Sequence, residues 1–268
     1  MTTSARPLEG VRVLVTGASS GIGRAMADAL LQAGAEVAAS ARPGERLTEA
    51  VARWESLGLA VRALPMDVRD EKSVEKACVE LASVWDSLDL LVNNAGIGMR
   101  TVNPRFIEEP KPFWEVPPDG FRDVLAVNCT GYFLVARTFF PLIAAKTPGR
   151  IVNITMNHAT MRRAGFVPYG PSRAAAESLS RIMEEDAKSV GITVNMLLPG
   201  GATSTGMIPE EISPAFASAL LPPDIMGPPI VFLASPEAAG ITGERITATQ
   251  WEAWCSEHGV APRPGSAG

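Results

Sequence analysis

The chain has 268 residues, with 24 Lys plus Arg against 29 Asp plus Glu and a net charge of −5. Its 46% hydrophobic and 20% charged residues are globular proportions, which exclude a disordered, collagen-like or disulfide-scaffold chain. The acidic balance, without any Lys/Arg cluster, argues against a nucleic-acid partner, because phosphate neutralisation needs clustered cations. Short apolar runs then alternate with longer helical patterns. Val11 to Thr16 predicts a strand, Gly23 to Ala33 a helix, Glu36 to Ala41 a strand and Arg46 to Leu57 a helix. Strand Val61 to Pro65, helix Lys72 to Trp85 and strand Leu88 to Asn93 follow. A long helix from about Gly120 to Ala145, strand Arg150 to Ile154, helix Tyr169 to Val190 and strand Thr193 to Leu198 complete the alternation. Length alone allows two small domains or one large one. The βαβα order decides for a single α/β domain over 1–268, a Rossmann-like doubly wound parallel sheet in three α/β/α layers.

Three segments break the rhythm: 97–118, with five prolines among Phe106, Phe113 and Trp114; 203–224; and the tail 249–268, with Trp251 and Trp254. Irregular segments at the carboxyl edge of a parallel sheet border the ligand crevice, so these are expected to line a substrate site. The opening MTTSARPLEG lacks the apolar run of a signal peptide, and Arg137 and Pro141 interrupt the apolar stretch Tyr132 to Ala145. A cytoplasmic protein with no membrane association is therefore expected. Cys78, Cys129 and Cys255 are too scattered for a metal cluster, and two His give a metal site little to build on, so no metal is expected.

Strand residues Val13, Leu14 and Val15 run into Thr16-Gly17-Ala18-Ser19-Ser20-Gly21-Ile22-Gly23, and a helical pattern starts at once. Glycines permit a tight turn and close approach of backbone N–H groups to a pyrophosphate, with the helix N-terminus adding partial positive charge. This turn resembles that of the short-chain dehydrogenase/reductase family, and further signatures follow in the family's order. Asp67-Val68 matches its adenine-contacting pair, Asn93-Asn94-Ala95-Gly96 its fourth-strand motif, Asn128 its mid-helix Asn, Tyr169 its catalytic Tyr, and Pro199-Gly200 the end of its sixth strand. The resemblance covers roughly residues 9 to 247. It implies hydride transfer between a nicotinamide cofactor and a small-molecule carbonyl or secondary alcohol, with Tyr169 as acid/base, Asn128 anchoring a water, and a homodimer or homotetramer packed through the two long helices.

The second strand ends in Ser40-Ala41-Arg42 with no acid at the ribose position. A guanidinium there suits a 2′-phosphate, so NADP is expected over NAD. Two positions depart from the family. Arg173 stands four residues after Tyr169 where the family has Lys; on one helical face it keeps a positive charge near the phenol and ribose but cannot release a proton. Met156 stands thirteen residues before Tyr169 where the family has Ser, and a thioether donates no hydrogen bond to a developing alkoxide. Thr155, Asn157, His158 and Thr160 on the same loop are candidate substitutes; a one-residue shift would bring Thr155 or Asn157 toward the substrate, and His158 is the sharpest candidate because its imidazole could donate or accept a proton. Two competing classes remain open: an NADP-binding protein with little turnover, which loss of Ser and Lys together favours, and epoxide chemistry like that of halohydrin dehalogenases, using Tyr169 and Arg173. The intact glycine turn speaks against the second. Phe106, Phe113, Trp114, Phe166, Trp251 and Trp254 are expected to line an apolar pocket, while Arg100, Arg105, Arg162 and Arg163 offer an alternative, carboxylate-selecting reading.

Overall fold

Seven strands line up in the order β3-β2-β1-β4-β5-β6-β7, every neighbouring pair parallel, in a computed structural model that describes residues 6–261. The strands are β1 (Arg12–Thr16), β2 (Glu36–Ala41), β3 (Val61–Pro65), β4 (Leu90–Asn93), β5 (Arg150–Ile154), β6 (Thr193–Leu198) and β7 (Arg245–Thr247). β4, β5 and β6 are buried at every position, as strands covered on both faces must be, and this is why they are largely apolar. The helices are α1 (Gly21–Gln32), α2 (Glu45–Ser56), α3 (Glu71–Ala82), α4 (Pro118–Leu125), α5 (Gly131–Ala144), α6 (His158–Met161), α7 (Tyr169–Ala187), α8 (Pro214–Ser218), α9 (Gly227–Ala234) and α10 (Trp251–His258). In α1 the buried residues Gly23, Met26, Ala27, Leu30 and Leu31 recur every three or four positions, so a single stripe faces the sheet. Asp70 caps α3 by accepting from the Lys72 backbone N–H at 3.1 Å.

Two apolar cores lie on opposite faces of the sheet, which makes the three layers. One joins α1, α2 and α9 to the sheet through Met26, Leu30, Trp54, Ile230 and Phe232; the other joins α3 and α5 through Leu81, Val135, Phe139 and Ile143. The helical stretch Pro118–Ala144 is long and apolar enough to cross a membrane by length and composition, but half of its apolar window is buried in this fold. Chain travel reverses between β1 and β4, so the loops leaving their carboxyl ends diverge and open a crevice there.

Three expectations are corrected. The helix read as continuous from Gly120 to Ala145 contains a π turn at Ala126–Thr130 between α4 and α5; such a one-residue widening is common at functional sites, and this one carries Asn128. The tail is not irregular up to its end: α10 folds back, and Trp251 and Trp254 stack on each other at 5.3 Å and meet Phe232 at tilted and edge-on angles within the first core, not in the crevice. Residues 262–268 of that expected tail lie outside the described residues. Phe113 and Trp114 pack edge to face at 5.1 Å but are 68% and 73% exposed, so they do not wall a closed pocket.

Candidate active site

The glycine turn is built against the end of β4. Thr16 Oγ1 accepts from the backbone N–H groups of Asn94 at 2.9 Å and Ala95 at 3.0 Å, and Asn94 Nδ2 donates to the Thr16 carbonyl at 2.8 Å. Gly17 has φ +69°, and a Cβ there would lie 2.9 Å from Ala95 Cα and Asn94 Nδ2; at Gly23 it would collide with the Gly17 carbonyl. Only glycine lets these loops approach so closely. Ser20 stands at the N-cap of α1 without a side-chain cap bond, so the first N–H groups of the helix, at Gly21, Ile22 and Gly23, face the crevice beside half-exposed Ser19. An uncapped helix start carrying glycine on both sides is a fitting cradle for a dinucleotide pyrophosphate.

At the far end of the crevice Asp67 accepts from Arg69 Nη2 at 2.7 Å and Nε at 3.0 Å, and these bonds hold its carboxyl below the usual range despite some opposing burial. Arg42 is exposed, makes no hydrogen bond or ion pair among the described residues, and adds to the field that keeps Asp67 charged. It is therefore a cation with uncommitted donors beside the expected adenosine end. Val68 is buried against Gly131, and Gly96, Pro199 and Gly200 edge the crevice floor.

α7 begins at Tyr169, whose half-exposed ring packs on a small apolar group of Met99, Phe106 and Phe166 together with Ile107 and Met156. Phe106 and Phe166 meet edge to face at 5.7 Å. Met156 and Tyr169 thus pack on the same apolar group. Asn128 is fully buried. Its Oδ1 accepts from the Ile97 N–H at 2.9 Å, and its Nδ2 donates to the Ile97 carbonyl at 2.9 Å and to Ser172 Oγ at 3.0 Å. Both amide protons are spent on protein, so Asn128 clamps the loop after β4 onto α7 and has no donor left for the water expected of it.

Arg173 departs from expectation in where it points. Its side chain is 3% exposed, and Nη1 donates to the Tyr132 hydroxyl at 2.7 Å and to the Ile154 carbonyl at 3.0 Å, while Nη2 lies against Gly96. A guanidinium committed in this way is not extended to a ribose; that expectation is corrected. Its charge does stand 5.4 Å from the Tyr169 ring, as foreseen. Burial opposes that charge, but the oxygens of Tyr132 and Tyr169 outweigh it and hold Arg173 above its ordinary pKa.

Thr155 and His158 are corrected as substitutes for the missing Ser. Thr155 Oγ1 donates to Glu177 Oε1 at 2.7 Å and His158 Nε2 pairs with Glu177 Oε2 at 2.8 Å. Arg245 Nε donates to the same carboxylate at 2.9 Å, and its Nη2 donates to the Met156 carbonyl at 2.6 Å. Burial pushes the Glu177 carboxyl up, but these three donors and the Arg245 charge together bring it below its ordinary value. Asn157 Nδ2 is occupied by the Gly200 carbonyl at 2.8 Å. Thr155 is thus buried, Asn157 is committed to a backbone carbonyl, and His158 stays exposed while paired to Glu177.

Arg100 donates to Glu210 at 2.7 Å and to the Gly206 carbonyl at 3.2 Å, tying the two irregular segments together; Arg105 pairs with Glu108 and Glu109. These two cations are already matched, which removes them from the carboxylate-selecting reading. Sequence reasoning missed Tyr132, Glu177 and Arg245. Glu177 was findable, two helical strides after Tyr169 and one after Arg173, whereas Arg245 comes from a three-residue strand with no motif around it.

A family model described as short chain dehydrogenase matches residues 11–214. A 3-oxoacyl-(acyl-carrier-protein) reductase of Vibrio harveyi is 32% identical over 246 residues, covering 89% of this chain and 96% of its own. Among solved structures, a dehydrogenase/reductase from Sinorhizobium meliloti 1021 superposes with a TM-score of 0.77 at 31% identity, covering 91% of this chain and 95% of its own. A gluconate 5-dehydrogenase from Burkholderia cenocepacia J2315, in complex with NADP and tartrate, gives 0.79 at 27% identity over 91% and 95%.

Proposed function

The chain belongs to the short-chain dehydrogenase family, and from that premise we propose a cytoplasmic NADP-dependent oxidoreductase that acts on a largely apolar carbonyl or secondary alcohol with Tyr169 as acid/base. The observation that carries this is the half-exposed phenol of Tyr169, set over the buried Arg173 charge on one side and against Met99, Phe106, Met156 and Phe166 on the other. A phenol with an ordinary pKa near 10 needs a neighbouring positive charge to ionise closer to neutrality, and the charge on Arg173 never leaves. Bound in the crevice, the nicotinamide would supply the hydride. The α1 start at Ser20, Gly21, Ile22 and Gly23 would hold the pyrophosphate, Asp67 and Val68 the adenine, Asn94, Ala95 and Gly96 the crevice floor, and Arg42 the 2′-phosphate.

The bound NADP of the Burkholderia relative supports the choice of cofactor, as does the absence of any acid at Arg42. Because Thr155, Asn157 and His158 are each committed to a protein partner, Tyr169 is left as the group to meet the reacting oxygen, and the substrate class narrows to carbonyls that are already electron-poor. The exposed Phe133 and Phe140 of α5 and Ile182 of α7 suit contact with a second copy of the chain. The test is NADPH fluorescence on binding, followed by absorbance loss with a carbonyl panel that includes activated ketones. Reduction of an activated ketone is expected. Binding without any turnover would overturn the reductase reading in favour of a binding protein, and epoxide formation without NADPH would favour dehalogenase chemistry.

A further inference from the structure

The chain contains two tyrosines, and both stand against the same buried guanidinium. Arg173 Cζ lies 5.7 Å from the ring centroid of Tyr132 and 5.4 Å from that of Tyr169. Tyr132 comes from α5 and is 1% exposed. Its hydroxyl accepts from Arg173 Nη1 at 2.7 Å and donates to the Ile154 carbonyl at 3.1 Å; the same Nη1 reaches that carbonyl at 3.0 Å. Three groups close a triangle at the end of β5, where the loop to Met156 departs. Nη2 is seated against Gly96, and Nε has no partner at all.

We infer that Tyr132 is a positioning residue for the chemistry at Tyr169: its hydroxyl clamps Arg173 so that the permanent charge stays beside the reacting phenol. This rests on the reading of Tyr169 as acid/base. A buried cation moves toward whatever acceptors it can find, because leaving its N–H groups unpaired costs more than breaking a rotamer. With Nε already orphaned, the Tyr132 oxygen and the Ile154 carbonyl are the two anchors that set the position of the head group. Remove one, and the guanidinium is free to turn about the other, away from Tyr169. Tyr132 does not compete to ionise, since burial pushes its phenol up and its proton is engaged by Ile154. Asn128 from the π turn, which borders Gly96 together with Arg173, and Met156, which packs on the same apolar group as Tyr169, carry no charge. Tyr132 is thus a clamp.

Two tyrosines make this directly measurable. In the Tyr132→Phe protein the ultraviolet absorbance of tyrosinate reports Tyr169 alone, and in Tyr169→Phe it reports Tyr132 alone. An opposite charge at this distance lowers a pKa by about 1–3 units, so loss of the clamp should raise the Tyr169 midpoint by roughly 0.5–1 unit relative to wild type. A merely structural Tyr132 would lower the unfolding midpoint and leave that titration in place. A Tyr169 midpoint within about 0.2 unit of wild type, or one that falls, overturns the inference. Should Tyr132→Phe fail to fold, the wild-type chain labelled at tyrosine Cζ decides by carbon NMR: the Tyr132 resonance should show an inflection at the Tyr169 midpoint, and its absence overturns the clamp. Neither titration needs turnover. A shifted midpoint in a chain that reduces no carbonyl refutes the proposed function only, and an unshifted midpoint in an active enzyme refutes the clamp only.

Discussion

Gly96→Ala offers a sharp test of how Arg173 is held. The φ of Gly96 is one that any residue adopts, so an added methyl costs nothing in backbone strain; its cost is the atom it meets. That atom is Arg173 Nη2, about 1 Å inside an ordinary contact of ~3.5 Å, with Asn128 Oδ1 close by at 3.3 Å. A flexible arginine at a surface would swing aside. Here Nη1 is fixed to Tyr132 and Ile154, so a shift of that size must break one of two bonds from a buried charge, each worth about 1.5–3 kcal/mol. Adding mild overpacking, Gly96→Ala should destabilise the fold by about 2–4 kcal/mol. The assay is urea unfolding, read as a lower midpoint at unchanged m value. In an Arg173→Met background the flexible thioether leaves room for the methyl, and most of the cost of Gly96→Ala should vanish, a coupling of about 1–3 kcal/mol. If Gly96→Ala costs less than about 0.5 kcal/mol, or costs the same with Met at 173, the guanidinium is not seated as described.

Met156→Ser restores a hydroxyl thirteen residues before Tyr169, on the apolar group that Tyr169 also packs against, and kcat on unactivated ketones should rise by about 10-fold or more, since one donor to a developing oxyanion is worth about 10²–10³; unchanged kcat in a folded protein counts against a missing donor. Arg42→Ala should raise the Kd for NADPH by about tenfold or more and leave that for NADH nearly unchanged, as expected for loss of a bidentate contact to phosphate; equal losses for both cofactors would place Arg42 elsewhere. The Glu177 carboxyl is held below its ordinary 4.5, so it stabilises the fold above that pH and loses this contribution as pH falls through its folded value. Glu177→Gln should therefore be less stable at pH 7 and show a shallower stability loss below about pH 5 than wild type. Parallel stability curves for the two proteins over that range would exclude the network as the acid-sensitive element.

Strand bounds for β2, β3, β5 and β6 were readable without a structure, because short, largely apolar runs ended by turn residues alternate there with helical patterns, although β3 at the sheet edge is mostly unburied. The two Trp of the tail were misplaced for the complementary reason: an aromatic residue is equally at home in a ligand crevice and in a core, and the fold-back of α10 onto Phe232 is a contact between elements with no local signature.

Order along the chain, Thr16 to Gly23, then Asn93 to Gly96, then Tyr169, is enough to establish the sheet, the family and the place of the crevice. These depend on short-range rules, the period of a strand, the turn a glycine permits and the stride of a helix, and such rules are written within a dozen residues. The direction a long polar side chain takes is not. Arg173 has acceptors on several elements within reach, and it turned inward because Tyr132 from α5 and Ile154 from β5, 41 and 19 positions away, offer oxygens where Gly96 leaves room. Thr155 and His158 faced the same choice and took Glu177, two turns along α7. Each buried donor goes to the nearest acceptor the packed fold supplies, and only packing says which acceptor that is.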